Sequence, residues 1–365
     1  PYLFDKPILL GGEIYRRDAN SFNFVGGERE RTYSQKSNGL GLRLGFPVTE
    51  FLTFGTRYSL VHDKITLSRS NFYTDPDGVG PLEAQCDPVK AGRYLCDELG
   101  GRLTSSLGYT AAFDDTNGIR ATRGQRLILS QDFAGLGGDV KYLRTRLDGT
   151  KYVALPKGFV LSAHAEGGYI HPLASTEGDR DPIRITDRFF GTQLRGFDVR
   201  GIGPRIQRQR YDSKGVLDED QKLEADSLGG RAYYMGRIEV EFPLSAGLRS
   251  VGLRPSAYVD VGSVWKVRSP ELINVLAFCT PATTNTSGRA YEIQTPGEEC
   301  ATDFNRTNGV KETLLGNSPK PRLSVGIGVN WISPFGPLRL DLAKALLKQE
   351  GDETKLFSFN VGTQF

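Results

Sequence analysis

The stretch Phe357-Ser358-Phe359-Asn360-Val361-Gly362-Thr363-Gln364-Phe365 puts Phe357, Phe359, Val361, Thr363 and Phe365 on one face and Ser358, Asn360, Gly362 and Gln364 on the other. A period of two is the mark of an extended strand with one apolar face. Working upstream, Leu338, Leu340 and Leu342 alternate with Arg339, Asp341 and Ala343, and Leu323, Val325, Ile327, Val329 and Trp331 alternate with Ser324, Gly326, Gly328 and Asn330. Ser333-Pro334-Phe335-Gly336 joins them as a short turn. The same pattern appears near the other end, in Leu40, Leu42, Leu44 and Phe46 and then Leu52, Phe54, Tyr58 and Leu60, joined by Pro47-Val48-Thr49-Glu50.

Composition alone would suggest a water-soluble protein, since the mean hydropathy is −0.36. A β-barrel wall in lipid needs apolar side chains only at alternate positions, so low average hydropathy does not argue against one. No run approaches the roughly 18 uncharged apolar residues of a membrane-spanning helix. With 44 Gly, 20 Phe and 15 Tyr against one Met, the bias suits strands, tight turns and aromatic girdles. A net charge of +3, with Lys and Arg dispersed, argues against a nucleic-acid surface.

Connection length separates this pattern from that of a soluble sandwich. The connections at 47–50, 155–158 and 333–336 are short, whereas those near 65–101, 173–228 and 266–320 are long and polar. Short periplasmic turns and long extracellular loops are characteristic of outer-membrane barrels. Strands are expected near 8–18, 32–46, 51–64, 102–114, 124–133, 139–154, 158–171, 229–242, 253–265, 321–332, 337–345 and 355–365. The expected fold is all-β, a transmembrane antiparallel up-and-down β-barrel with about 12 strands in one domain over 1–365. The four cysteines fall as Cys86 with Cys96 and Cys279 with Cys300, each pair inside a long polar segment. Two local disulfides are the natural reading if those loops face the cell exterior, with free loop thiols as the alternative.

Several motifs in order resemble the surface-antigen family of outer-membrane insertase barrels. Leu194-Arg195-Gly196-Phe197 followed by Ile202-Gly203-Pro204 is similar to that family's V/L-R-G-F/Y loop motif. Glu239-Val240-Glu241-Phe242-Pro243 and Tyr258-Val259-Asp260-Val261-Gly262 resemble its next two strands, and Trp331 to Leu338 its last hairpin turn. Phe357, Phe359, Val361, Gly362 and terminal Phe365 resemble its C-terminal assembly signal and seam strand. Pro1-Tyr2-Leu3-Phe4-Asp5 resembles the end of that family's fourth strand. The resemblance therefore implies strands five to sixteen of a sixteen-strand barrel, with the earlier strands, the periplasmic POTRA repeats and an export signal lying upstream.

Facing supplies a site. If Ile238, Val240 and Phe242 point to lipid, then Glu239 and Glu241 point inward, and Asp260 does so on the next strand. An arginine in a long loop is by default a solvated charge. Carboxylates in a confined lumen want a cation, however, and a loop folded back inside could deliver Arg195 to Glu239 and Asp260, its fork holding both. Gly196 would allow a close turn and Phe197 would wedge against the inner wall.

No catalysis is expected. His62, His164 and His171 stand without a nucleophile or ligand cluster, and His164 with Glu166 reads as polar lumen wall. No cofactor and no metal is expected. The resemblance implies insertion of barrel proteins into the bacterial outer membrane, with unfolded barrel clients, accessory lipoproteins and the lipid bilayer as partners. The alternatives are a polypeptide-secretion transporter of the same family and a diffusion porin.

Overall fold

The computed structural model describes residues 5–25, 28–74, 85–118, 121–175, 181–191, 193–222, 226–244, 252–281, 291–333 and 336–361. Twelve antiparallel strands form one sheet in which nearly every strand pairs with its neighbours in chain order. They are β1 (Leu9–Val25), β2 (Glu28–Pro47), β3 (Leu52–Leu67), β4 (Gly100–Asp114), β5 (Gly124–Gly138) and β6 (Tyr142–Ala154). The wall continues with β7 (Val160–Pro172), β8 (Ala232–Glu241), β9 (Leu253–Trp265), β10 (Arg322–Ser333), β11 (Gly336–Leu347) and β12 (Phe357–Val361). The sheet does not close, because β1 and β12 are its two edges. Among the described residues, helix is confined to short pieces of the loops, such as Pro88–Ala91 and Arg93–Cys96.

The alternation seen in the sequence separates two environments. One face carries exposed Leu42, Leu127, Leu147, Ile238, Ile327 and Phe359, among other apolar side chains. So much exposed apolar surface on a folded wall is stable only against hydrocarbon. The other face buries polar groups, Asp260 and Asp341 among them. Between that inner face and the β7–β8 connection lies the main apolar cluster, in which Phe189, Leu194, Phe197 and Ile202 of the loop meet Tyr142, Ile170, Tyr233, Met235 and Val264 of the wall. One loop touching strands from β6 to β11 requires the wall to curl around it.

Two expectations need correction. β1 and β2 run well past the limits 18 and 32, to Val25 and from Glu28, because the hydrogen-bond ladder continues where the outward side chains turn polar (Arg16, Asp18, Asn20). The long polar connections also carry strands of their own: Arg205–Tyr211, Phe304–Leu315, Asn274–Pro281 and Tyr291–Ile293 pair in that order into a second sheet, with Leu217–Lys222 on its other edge. The length asymmetry is also incomplete, since the connection 139–141 is short although it lies at the same end of the wall as the long loops. Both cysteine pairs are disulfides, Cys86–Cys96 and Cys279–Cys300.

Candidate functional site: the lumen lock

Arg195 is brought to the wall by a tight turn. Gly196 has φ +88°, and a Cβ there would come within 3.0 Å of the Ser324 Cβ and 3.3 Å of the Ala343 Cβ. Only a residue without a side chain permits that conformation and that approach together. The turn is bonded at both ends. Leu194 is buried against Gly262, and the Lys355 amide donates to the Gly196 carbonyl at 3.1 Å.

From this turn the Arg195 fork reaches two carboxylates. Its Nε and Nη2 donate to the two oxygens of Asp260 at 2.8 and 2.6 Å, its Nη1 donates to Glu239 at 2.7 Å, and its amide N–H reaches Asp260 at 3.3 Å. Asp260 is 0% exposed and Glu239 6%, so water does not compete for these acceptors. The guanidinium carbon also sits 3.1 Å from the centre of the Tyr258 ring. Burial works against the Arg195 cation, but the Asp260 and Glu239 carboxylates outweigh it and hold its pKa above the ordinary guanidinium value.

The lock is larger than the sequence suggested. Arg339 donates to Glu239 at 3.1 Å, to Asp341 at 2.9 Å and to Asn330 at 3.1 Å. Arg237 donates to Asp260 at 3.2 Å, and Asp341 lies 4.0 Å from Arg195. Three guanidinium groups thus face three carboxylates across β8, β9 and β11, and their formal charges cancel. Register explains the assembly: Arg237 pairs with Asp260, Glu239 with Tyr258, Tyr258 with Gly326 and Asn330 with Arg339. Gly326 is needed because a Cβ there would meet the Tyr258 ring at 2.7 Å. Arg339 and Asp341 were visible as inward positions of an alternating strand; the missing signal was which strand β11 would face.

Glu241, the other inward carboxylate, is not part of the lock and pairs with Arg254 at 3.3 Å. Phe197 is buried in the main cluster, and its backbone bridges Thr354. Asp198 and Glu353 extend the pairing, through Asp198 N–H to the Glu353 carbonyl at 3.0 Å and Glu353 N–H to the Gly201 carbonyl at 2.8 Å. The loop therefore joins the segment that leads into β12. There Arg322 holds Asp352 at 3.0 Å with both side chains 0% exposed, and Arg205 holds Glu353 at 2.6 Å.

Phe357, Phe359 and Val361 are exposed on the outer face of β12, whereas Gly362 and Phe365 lie outside the described residues. His164 is hydrogen-bonded to Thr150 at 2.8 Å, and together with Asp148 and Glu166 it offers one ligand atom each within 4.8 Å. Among the described residues this is the one such group, and its members line the inner face of β6 and β7.

Comparison with known proteins agrees with this architecture. An outer membrane protein assembly factor BamA from Neorickettsia risticii is 26% identical over 372 residues, covering 100% of this chain and 38% of that protein. A sorting and assembly machinery component 50 homolog B from Xenopus laevis is 35% identical over 167 residues, covering 44% of this chain and 31% of its own length. The crystal structure of BamA from Haemophilus ducreyi lacking POTRA domains 1-3 shares the fold, with a TM-score of 0.63 and 21% identity over 98% of this chain and 59% of that one. The chain thus spans about two fifths of the length of the bacterial relative it matches. The family model for the Omp85 superfamily domain matches residues 1–365, and the chain belongs to that superfamily.

Proposed function

We propose that this chain forms the wall of an insertase, which accepts unfolded β-barrel clients and lets them enter the bacterial outer membrane. The observation that carries this reading is the lumen lock: the inner space is occupied by the chain's own loop, and that loop is bonded to the residues just ahead of β12. A plugged lumen is a poor diffusion pore, which weighs against a porin. If β12 pairs poorly with its neighbour across the seam of the longer barrel, its edge can take up a client strand by β-augmentation. Burial of apolar strand faces and closure of strand hydrogen bonds would drive the process without a nucleotide, and no bond chemistry is involved. Partners on this reading are unfolded barrel clients, accessory lipoproteins bound mainly by parts of the longer protein, and the bilayer. The secretion-transporter alternative lacks an observation of its own.

The test is genetic. Cells depleted of the endogenous full-length protein are supplied with either the wild-type or an Arg195→Ala full-length copy, and their folded outer-membrane barrels are quantified. The proposal expects the variant to lower folded client levels several-fold. Unchanged client levels after complete depletion of the protein itself would overturn the role.

A further inference from the structure

On the lipid-facing side, above the apolar band, the wall carries a cationic row that neither the lock nor the insertion role uses. Lys36 of β2 stands directly opposite Lys64 of β3, and on its other side faces Asp18 of β1. Arg16, two residues before Asp18 and on the same face, pairs with it at 3.8 Å, with both side chains well exposed. The row below holds Arg16, Asn38 and His62, and beneath that the surface becomes apolar with Ile14, Leu42, Leu44 and Phe46. Both lysines are exposed and neither has an ion pair among the described residues.

Height places this row. From Lys36 to the short turn at Pro47 is about 11 residues, which at about 3.3 Å per residue and a tilt near 40° rises roughly 28 Å. The hydrocarbon band of such walls is about 25 Å tall, so the lysines stand at the outer-leaflet headgroups. Like charges directly opposite in a sheet are unfavourable unless an anion lies between them. With facing Cβ atoms about 5 Å apart, two long ammonium stems can converge on one group.

We infer that Lys36, Lys64 and Arg16 form a binding site for the phosphate-monoester headgroup of an outer-leaflet lipid, whose acyl chains lie along Ile14 and Leu42. A dianionic phosphate satisfies the lysine pair, and the apolar band below holds the rest of the molecule. The site needs only a wall that faces lipid, so it stands apart from the insertion role.

The test uses the full-length protein in phosphatidylcholine nanodiscs, titrated with a bis-phosphorylated glucosamine lipid and read by native mass spectrometry. Each lysine near an anionic surface is worth about fivefold in affinity, so Lys36→Gln/Lys64→Gln should weaken binding roughly thirtyfold. Lys36→Arg/Lys64→Arg should stay within about threefold of wild type. The dephosphorylated lipid should bind the wild type as weakly as the Gln variant binds the phosphorylated one. Equal affinity of the Gln variant, equal binding of the dephosphorylated lipid, or full displacement by millimolar inorganic phosphate would each overturn the site.

Discussion

Arg195→Ala removes the cation at the centre of the lock and leaves Asp260, with no exposed surface, and Glu239 to their remaining partners. Three positive and three negative groups become two and three, so one carboxylate charge is left uncompensated inside the wall. Breaking a buried pair by removing one partner costs about 3–5 kcal/mol. Arg237 at 3.2 Å and Arg339 at 3.1 Å still hold one oxygen of each acid, which puts the loss near the lower end, about 3 kcal/mol. Loss of the guanidinium from the Tyr258 ring adds about 1 kcal/mol. Arg195→Lys keeps the charge but cannot bridge both acids, and should lose about half as much. The assay is the full-length protein's thermal transition, followed by heat-modifiable gel migration, in a cycle with Glu239→Gln. Because the two residues share one hydrogen bond at 2.7 Å, the cycle should show a coupling of about 1.5 kcal/mol or more. Additive losses, or an Arg195→Ala protein that melts with the wild type, would refute the reasoning.

Other outcomes follow from the same geometry. Gly196→Ala should cost about 1–3 kcal/mol, because φ is +88° and the new Cβ would meet Ser324 and Ala343; a melting temperature equal to wild type would contradict this. Arg322→Ala should release Asp352 and speed amide exchange across Phe357–Val361 with little change in β3 or β6, and exchange that rises uniformly along the wall would count against it. Replacing Cys279 and Cys300 by serine should loosen the second sheet, seen as faster proteolysis between 291 and 303, while the lock stays closed.

The wall was legible because lipid is a strict solvent. Leu40, Leu42, Leu44 and Phe46 must be apolar where they face hydrocarbon, so the strand writes its period into the sequence. Past Ile14 that pressure stops: Arg16 and Asp18 face headgroups or water, and the continuing ladder of β1 and β2 leaves no local mark. The second sheet was hidden for a related reason. Its Arg205-Ile206-Gln207-Arg208-Gln209-Arg210 segment has one apolar side chain and pairs with residues 310–315, about a hundred positions away. For the lock, alternation alone identifies Glu239 and Asp260 as inward. The roles of Arg339, Asp341, Arg237 and Tyr258 depend on register between strands far apart in sequence, which alternation cannot supply.

The central claim, that this wall belongs to a machine which inserts other barrels, is tested most directly by reconstitution. Full-length protein is placed in vesicles, a urea-denatured barrel client is diluted onto them, and its folding rate is followed beside ionic conductance across planar bilayers. The account predicts client folding well above that of empty vesicles, a marked loss of that acceleration with Arg195→Ala, and no steady open current from the wild type. Client folding no faster than in empty vesicles, together with a steady ohmic current, would contradict it.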